Sequence, residues 1–202
     1  MSRTVRLCVV RHGETDWNAQ GILQGRQDVP LNVCGRQQAA ALAGQLAAAG
    51  FDALWSSPLR RARETAEIIA AHANAAAPLP SLRLHAGLQE RSFGVLEGCS
   101  RPQLAATHPL LLQEILRRNP AALFPAGETM DAFADRVLTA LLEIAAQQQG
   151  GGSALIISHG WVMDVIRRQL AGLPRHALLA GKPANGEMLW VEVAGGCLRA
   201  CA

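Results

Sequence analysis

The stretch LCVVRHGETDWN, Leu7 to Asn18, runs four apolar residues into Arg-His-Gly and then straight into a polar segment. Residues 5 to 10 are short, rich in Val and not alternating, the pattern of a strand buried on both faces of a parallel sheet. Arg11, His12 and Gly13 therefore stand where a buried strand surfaces. Arginine grips phosphate because its planar fork stays charged and donates several hydrogen bonds in fixed geometry. A neutral imidazole beside it can attack phosphorus and form a phosphohistidine, splitting one hard displacement into two easier ones. The stretch thus raises a phosphate site, and the rest of the chain must supply the other parts.

Working outward, GRQQAAALAGQLAAAGF predicts a helix from about Gly35 to Ala49. DALWSSPLRRARETAEIIAAHA repeats the unit: a short strand ending near Ser56, then Ser57 as N-cap with Pro58 at the first helical position. A further strand is expected over 82–90, and one helix near 102–118. From Thr129 to about Gln147, Met130, Phe133, Val137, Leu138, Leu141 and Leu142 recur at helical spacing, which predicts a one-faced amphipathic helix. ALIISHG is a second buried strand that breaks at His159 and Gly160, followed by a helix over 161–171. EMLWVEV predicts another strand, paired with the short CLRA. Such alternation predicts an α/β fold of three layers, a mostly parallel central sheet flanked by helices. In open sheets of this kind ligands bind beyond the carboxyl ends of the strands. Arg11 and His12, Ser57 and Arg60, and His159 and Gly160 all fall at such ends.

The chain has 202 residues, half of them hydrophobic and 17% charged, which fits a single domain over 1–202. Net charge is only +3, and the basic residues are dispersed apart from Arg60, Arg61 and Arg63, so nucleic acid is not expected as a partner. No apolar run approaches the roughly 18 residues of a membrane span, and the run Leu7–Val10 is too short for a signal sequence. No membrane partner and a cytoplasmic location are the expectation. Cys8, Cys34, Cys99, Cys197 and Cys201 are odd in number and lack C-x-x-C spacing, so they read as reduced thiols.

The chemistry needs further groups. Glycine after each histidine lets backbone approach closely. A second histidine, if protonated, would stabilise charge on the equatorial oxygens during transfer. A partly buried carboxyl with a raised pKa would protonate the leaving alcohol and later activate water. Glu90, in GLQERSFGVLEG, stands out because it follows a candidate strand and precedes a glycine-bearing loop.

Six blocks, VVRHGETDWN, LQGRQDVPLN, SSPLRRARETAEIIA, LQERSFGVLEG, FPAGETMDAFADRV and ALIISHG, occur in this order and resemble the histidine phosphatase superfamily, also called the phosphoglycerate mutase-like family. The resemblance runs from about residue 5 to 193. It implies a phosphoglycerate mutase-like fold, His12 as the phosphorylated nucleophile, Arg11, Arg60 and His159 as the phosphate pocket, and Glu90 as proton donor and acceptor. It further implies Asn18, Gln24 and Gly25 along the substrate entrance, backbone of Gly160 in the pocket, and neither metal nor cofactor. Residues 92–127 are expected to form a small cap insertion over the site. The sequence departs from the family's pattern at Trp161, where a small or polar residue is usual, at Leu96, where tryptophan is frequent, and at Arg91, a charge directly after Glu90.

Mutases of this family resemble longer chains with a larger basic insertion. The segment around 99–126 offers Arg101, Arg117 and Arg118 and is short, which favours hydrolysis, because a phosphatase must admit water where a mutase must exclude it. The expected function is hydrolysis of a small-molecule phosphomonoester, with mutase activity as the alternative. Two readings of another class stand beside it: His12 and His159 as metal ligands, disfavoured by two neighbouring arginines that repel a cation, and a silent module that binds phosphorylated ligands. His72, His85, His108 and His176 read as ordinary structural or surface histidines. Neither the natural substrate nor the oligomeric state is legible; a homodimer is compatible with the sequence.

Overall fold

The computed structural model describes residues 4–46, 48–73, 78–148 and 151–201. Its six-stranded sheet has the order β3-β2-β4-β1-β5-β6. The strands are β1 (Val5–Arg11), β2 (Ala53–Ser56), β3 (Leu82–Leu84), β4 (Gly152–Ser158), β5 (Met188–Ala194) and β6 (Cys197–Ala200). β3, β2, β4 and β1 run parallel, whereas β5 and β6 form an antiparallel edge beside β1.

Strand periodicity sorts the core into two faces. Leu7, Val9, Trp55 and Ile156 point to one, packed against α6 (Met130–Ala146) and α7 (Gly160–Leu170). Cys8, Val10, Leu54, Leu155 and Ile157 point to the other, packed against α2 (Val33–Leu46) and α3 (Arg60–His72). The three layers expected from the alternation are present. Helix α6 buries Met130, Phe133, Val137, Leu141 and Ile144 on one stripe, and Thr129 caps it by accepting from Ala132 N at 3.2 Å.

Register delivers the site. Arg11 pairs with Ser158 and Ser56 with Ile157, so the carboxyl ends of β1, β4 and β2 lie side by side. The pairing continues past the strands: His12 N donates to Ser158 O and Ser57 N to Ile157 O, both at 2.9 Å.

Several boundaries differ from expectation. The polar segment after Gly13 contains a short helix, α1 (Asp16–Gln20), built on a capping box between Thr15 and Asn18. Helix α3 starts at Arg60 with Leu59 as N-cap, because the Ser57 hydroxyl turns inward to His159. The strand expected over 82–90 stops at Leu84, where His85 Nδ1 accepts from Gly87 N at 3.0 Å and caps a 3₁₀ turn, Ala86–Leu88. The single helix near 102–118 is two, α4 (Arg101–Thr107) and α5 (Pro109–Leu116). Pro109 lacks an N–H and forces His108 out of helical conformation, to φ −140°, which breaks the run.

Candidate active site

The end of β1 delivers Arg11 and His12, 5% and 2% exposed, into a cavity of about 230 Å³. His12 Nδ1 lies 2.6 Å from its neighbour's carbonyl, Gly13 O. A carbonyl only accepts, so Nδ1 carries the proton and Nε2 keeps the lone pair. Arg61, in the first turn of α3 and 1% exposed, donates from Nε to that lone pair at 3.2 Å. Its other nitrogens donate to Gln27 O at 2.9 Å and Gly25 O at 2.8 Å, which ties the 24–28 loop to the site.

His159 follows β4 and packs edge-on against His12, ring centroids 5.2 Å apart. Its Nε2 contacts Ser57 Oγ at 2.8 Å. Burial first, and then the charges of Arg61 and Arg11, hold both imidazoles well below the ordinary histidine pKa. His159 is thus neutral in the free protein rather than protonated. Both arginines are pulled by burial to about 10 and remain cationic near neutrality.

Glu90 comes from the loop after the 3₁₀ turn. Its carboxyl accepts from Arg91 N at 3.1 Å and from Trp161 N at 3.3 Å. Burial raises its pKa, opposed by Arg61, Arg118 and Arg11. Arg136, paired with Glu128, fixes this loop by donating to Gly87 O, Gln89 O and Glu90 O at 2.8–3.0 Å.

The cavity is also lined by Asn18, Gln24, Gly25 and Gly160, so the sequence-expected residues converge, with His159 lying against His12 just off the wall. Arg60 is the exception. It points to solvent, 49% exposed at the side chain, where Nε pairs with Glu64 at 2.6 Å, and the cavity-facing arginine of this helix is Arg61. The signal was in the helical period. Arg61, Ala62, Thr65, Ala66 and Ile69 form the buried stripe, whereas Arg60–Glu64 and Arg63–Glu67 are i,i+4 pairs on the wet face.

The three departures have structural accounts. Arg91 faces neither substrate nor solvent: fully buried, it donates to Glu128 O, Pro120 O and Ala122 O. Leu96 is a core residue at 1% exposure. Trp161 walls the cavity, its indole edge-on to Phe93 and covered by the guanidinium of Arg118 at 4.5 Å. The glycines serve close approach within the protein: a Cβ on Gly13 would strike the carbonyl of Gly35, and one on Gly160 would lie 3.4 Å from Arg11 Nε.

Sequence reading did not assign to the cavity Trp17, which lies in the His12 block itself, Lys182, or Arg101 and Arg118 of the 99–126 segment, which line it together with Leu104, Leu112, Ile115 and Leu116 of α4 and α5. Buried Arg11 Nε, Gln24 Oε1 and His159 Nδ1 have no partner in the protein. Arg11 and Gln24 line the cavity, so their unpaired atoms can meet a polar ligand there. Among the described residues no group of three or more His, Cys, Asp and Glu is placed to hold a metal ion, and no helix is long and apolar enough to cross a membrane.

Comparison with known proteins agrees with the geometry. The model of the histidine phosphatase superfamily, branch 1, matches residues 7–200. The uncharacterized phosphatase PhoE of Bacillus subtilis is 33% identical over 166 residues, 82% of this chain and 77% of PhoE. The protein named probable phosphoglycerate mutase GpmB of Photorhabdus laumondii is 33% identical over 173 residues, 86% of this chain and 78% of GpmB. Among solved structures, YhfR of Bacillus stearothermophilus matches with a TM-score of 0.86 at 29% identity, covering 98% of this chain and 96% of YhfR. A mycobacterial glucosyl-3-phosphoglycerate phosphatase matches with a TM-score of 0.81 at 27% identity, covering 94% and 91%.

Proposed function

The chain belongs to the histidine phosphatase superfamily, and from that premise we propose that it is a metal-independent phosphomonoester hydrolase working through a phosphohistidine on His12. The observation that carries this reading is the state of His12: buried, neutral, its Nδ1 spent on Gly13 O and its Nε2 turned to a guanidinium in the cavity. A phosphate dianion entering between Arg11 and Arg61 takes over those guanidinium donors and frees the Nε2 lone pair. Nε2 attacks phosphorus, the P–O bond to the alcohol breaks, and Glu90, whose pKa burial raises, gives its proton from the acid form to the leaving oxygen. Glu90 then takes a proton from water, whose oxygen attacks phosphorus as the P–N bond breaks, releasing phosphate and neutral His12. His159 Nδ1 and Arg11 Nε, unpartnered and buried, serve the equatorial oxygens.

Asn18, Gln24, Gly25 and Gly160 shape the entrance, and residues 92–127 act as a cap, supplying the apolar wall of Phe93, Leu104, Leu112 and Ile115. The substrate is a small phosphomonoester and the setting cytoplasmic, consistent with five free thiols. Mutase activity is the second reading, supported by the likeness to GpmB and by Arg101 and Lys182 on the cavity wall.

The test is a quenched-flow reaction with a generic phosphomonoester in the presence of chelator. Turnover by the wild type, a trapped acid-labile phosphoryl group on His12 and none in His12→Ala support the reading. Chelator-sensitive turnover that zinc restores overturns it. Scoring 3-phosphoglycerate isomerisation in parallel separates mutase from phosphatase.

A further inference from the structure

Which nitrogen of His12 keeps its lone pair depends on a peptide group rather than on the imidazole. Neutral histidine in water favours the proton on Nε2, the opposite of what the site requires. Gly13 O enforces the other form by accepting from Nδ1, and it can do so only if the chain before it is fixed, because glycine imposes little conformational restriction of its own.

Both ends of the preceding His12–Gly13 peptide are held by side chains from distant elements. Its N–H donates to Thr65 Oγ1 at 3.1 Å, and its C=O accepts from Asn185 Nδ2 at 2.9 Å. Thr65 is fully buried on α3, and its own hydroxyl donates to Arg61 O at 2.7 Å, which leaves its oxygen free to accept from Gly13. Asn185 lies in the turn before β5, and that turn is anchored to β1: Gly186 N donates to Arg11 O and Arg11 N to Glu187 O, both at 3.0 Å. Asn185 Nδ2 also reaches Asn18 Oδ1 at 3.4 Å, joining the turn to α1.

We propose that Thr65 and Asn185 are positioning residues that lock the His12–Gly13 peptide from its two ends and thereby hold the His12 ring as the Nδ1–H tautomer. The proposal rests on the reading of His12 Nε2 as the nucleophile. Neither residue touches the reacting phosphate; both act through the backbone beside the imidazole.

Nitrogen-15 NMR of the histidine rings in the substrate-free protein reads the tautomer directly, with the His12 signals assigned by their loss in His12→Gln. The wild type is expected to show a protonated Nδ1 and an unprotonated Nε2 on His12. Thr65→Val and Asn185→Ala are expected to give mixed tautomers and to lower kcat on p-nitrophenyl phosphate roughly 10- to 100-fold, the rate equivalent of one lost buried hydrogen bond, with KM nearly unchanged. Thr65→Ser, which keeps the hydroxyl, is expected to restore both readouts. If Thr65→Val does not fold, Asn185→Ala, on a half-buried turn, carries the test alone. A wild-type tautomer and wild-type kcat in folded Asn185→Ala overturn the proposal. Failure of the nucleophile reading is a different result: full turnover by His12→Ala, whatever the tautomer.

Discussion

Arg61 Nε stands 3.2 Å from His12 Nε2, so in the free site the arginine donates to the lone pair proposed to attack phosphorus. Guanidinium and nucleophile are thus mutually held until an anion separates them. Arg60, one residue earlier, is 49% exposed at the side chain and engaged with Glu64 in an ordinary i,i+4 pair. Arg61→Ala should therefore lower kcat/KM about 10²- to 10³-fold, as loss of one preorganised donor to a developing anion does. Arg60→Ala should stay within about 3-fold, since exposed helix pairs contribute only a few tenths of a kcal/mol. Steady-state kinetics on both variants checks the contrast, and equal losses would refute the placement of Arg61.

Glu90 accepts hydrogen bonds from two backbone amides and is pushed toward its protonated form by burial. Glu90→Gln should slow release of an alkoxide leaving group about 10²- to 10⁴-fold, the range of a lost general acid. Release of nitrophenolate, which barely needs a proton, should suffer far less. Comparing alkyl and p-nitrophenyl phosphates in single-turnover experiments measures the difference; equal slowing would count against Glu90 as the acid.

Fold class and the strand ends that carry the candidate site were legible because they depend on short-range patterns. Val-rich Leu7–Val10 and ALIIS, each running into His-Gly, marked two parallel strands and their functional ends, and the buried register of β1 on β4 follows from that. What was not legible depends on tertiary placement. Lys182 lines the cavity beside Pro183, whose carbonyl accepts from Arg11 Nη1 at 2.5 Å, a contact across 172 residues. Arg60 is carried over from the family resemblance by its place after SSPL, whereas the face of α3 is set by the helical period, which puts Arg61 with Ala62, Thr65, Ala66 and Ile69 on the buried stripe and Arg60 with Glu64 on the wet one.

Burial of His12 and His159 as neutral rings makes stability depend on acid. Their folded pKa values lie well below 6.5, so the unfolded chain binds protons first as the pH falls. Their contribution is complete above 6.5 and is lost progressively as pH drops toward the folded values. Glu90 has the opposite sign: raised above 4.5, it favours the folded state at low pH and loses that contribution as pH rises through its folded value. Urea unfolding across this range should show falling stability below 6.5. The slope should flatten in His12→Gln and His159→Gln and steepen in Glu90→Gln; an unchanged slope in the histidine variants would contradict their neutral burial.

Lys182 gives the cavity a cation that titrates close to neutrality. Partial burial first, then the charges of Arg11 and Arg118, lower its ammonium from 10.5 to about 8. As pH rises through that value the charge is lost, so KM for anionic substrates should climb on the alkaline side. Lys182→Gln should show the higher KM at all pH values, and Lys182→Arg should carry the low KM to more alkaline conditions. A KM profile of the three proteins decides it, and no alkaline rise in the wild type would place the ammonium away from bound substrate.

Arg118 joins the segment over the site to the helix beneath it. Its Nε donates to Asp164 Oδ2 at 3.0 Å and its Nη2 to the same oxygen, while the guanidinium lies over the Trp161 ring at 4.5 Å. Asp164 is 1% exposed at the side chain, and its other oxygen has no hydrogen-bond partner, with Arg167 Nη1 3.8 Å away. Removing Arg118 therefore strands a buried carboxylate, which costs about 3–5 kcal/mol when one partner of a buried pair is lost. Arg118→Met alone should lower stability by that order, whereas Arg118→Met with Asp164→Leu should recover most of it, since an apolar pair leaves no charge to desolvate. Urea unfolding of the two single variants and the double measures the coupling. Substrate KM should rise in all three, because each frees α5 and the wall formed by Leu112 and Ile115; an unaltered KM in the fully stable double variant would separate the latch from substrate binding.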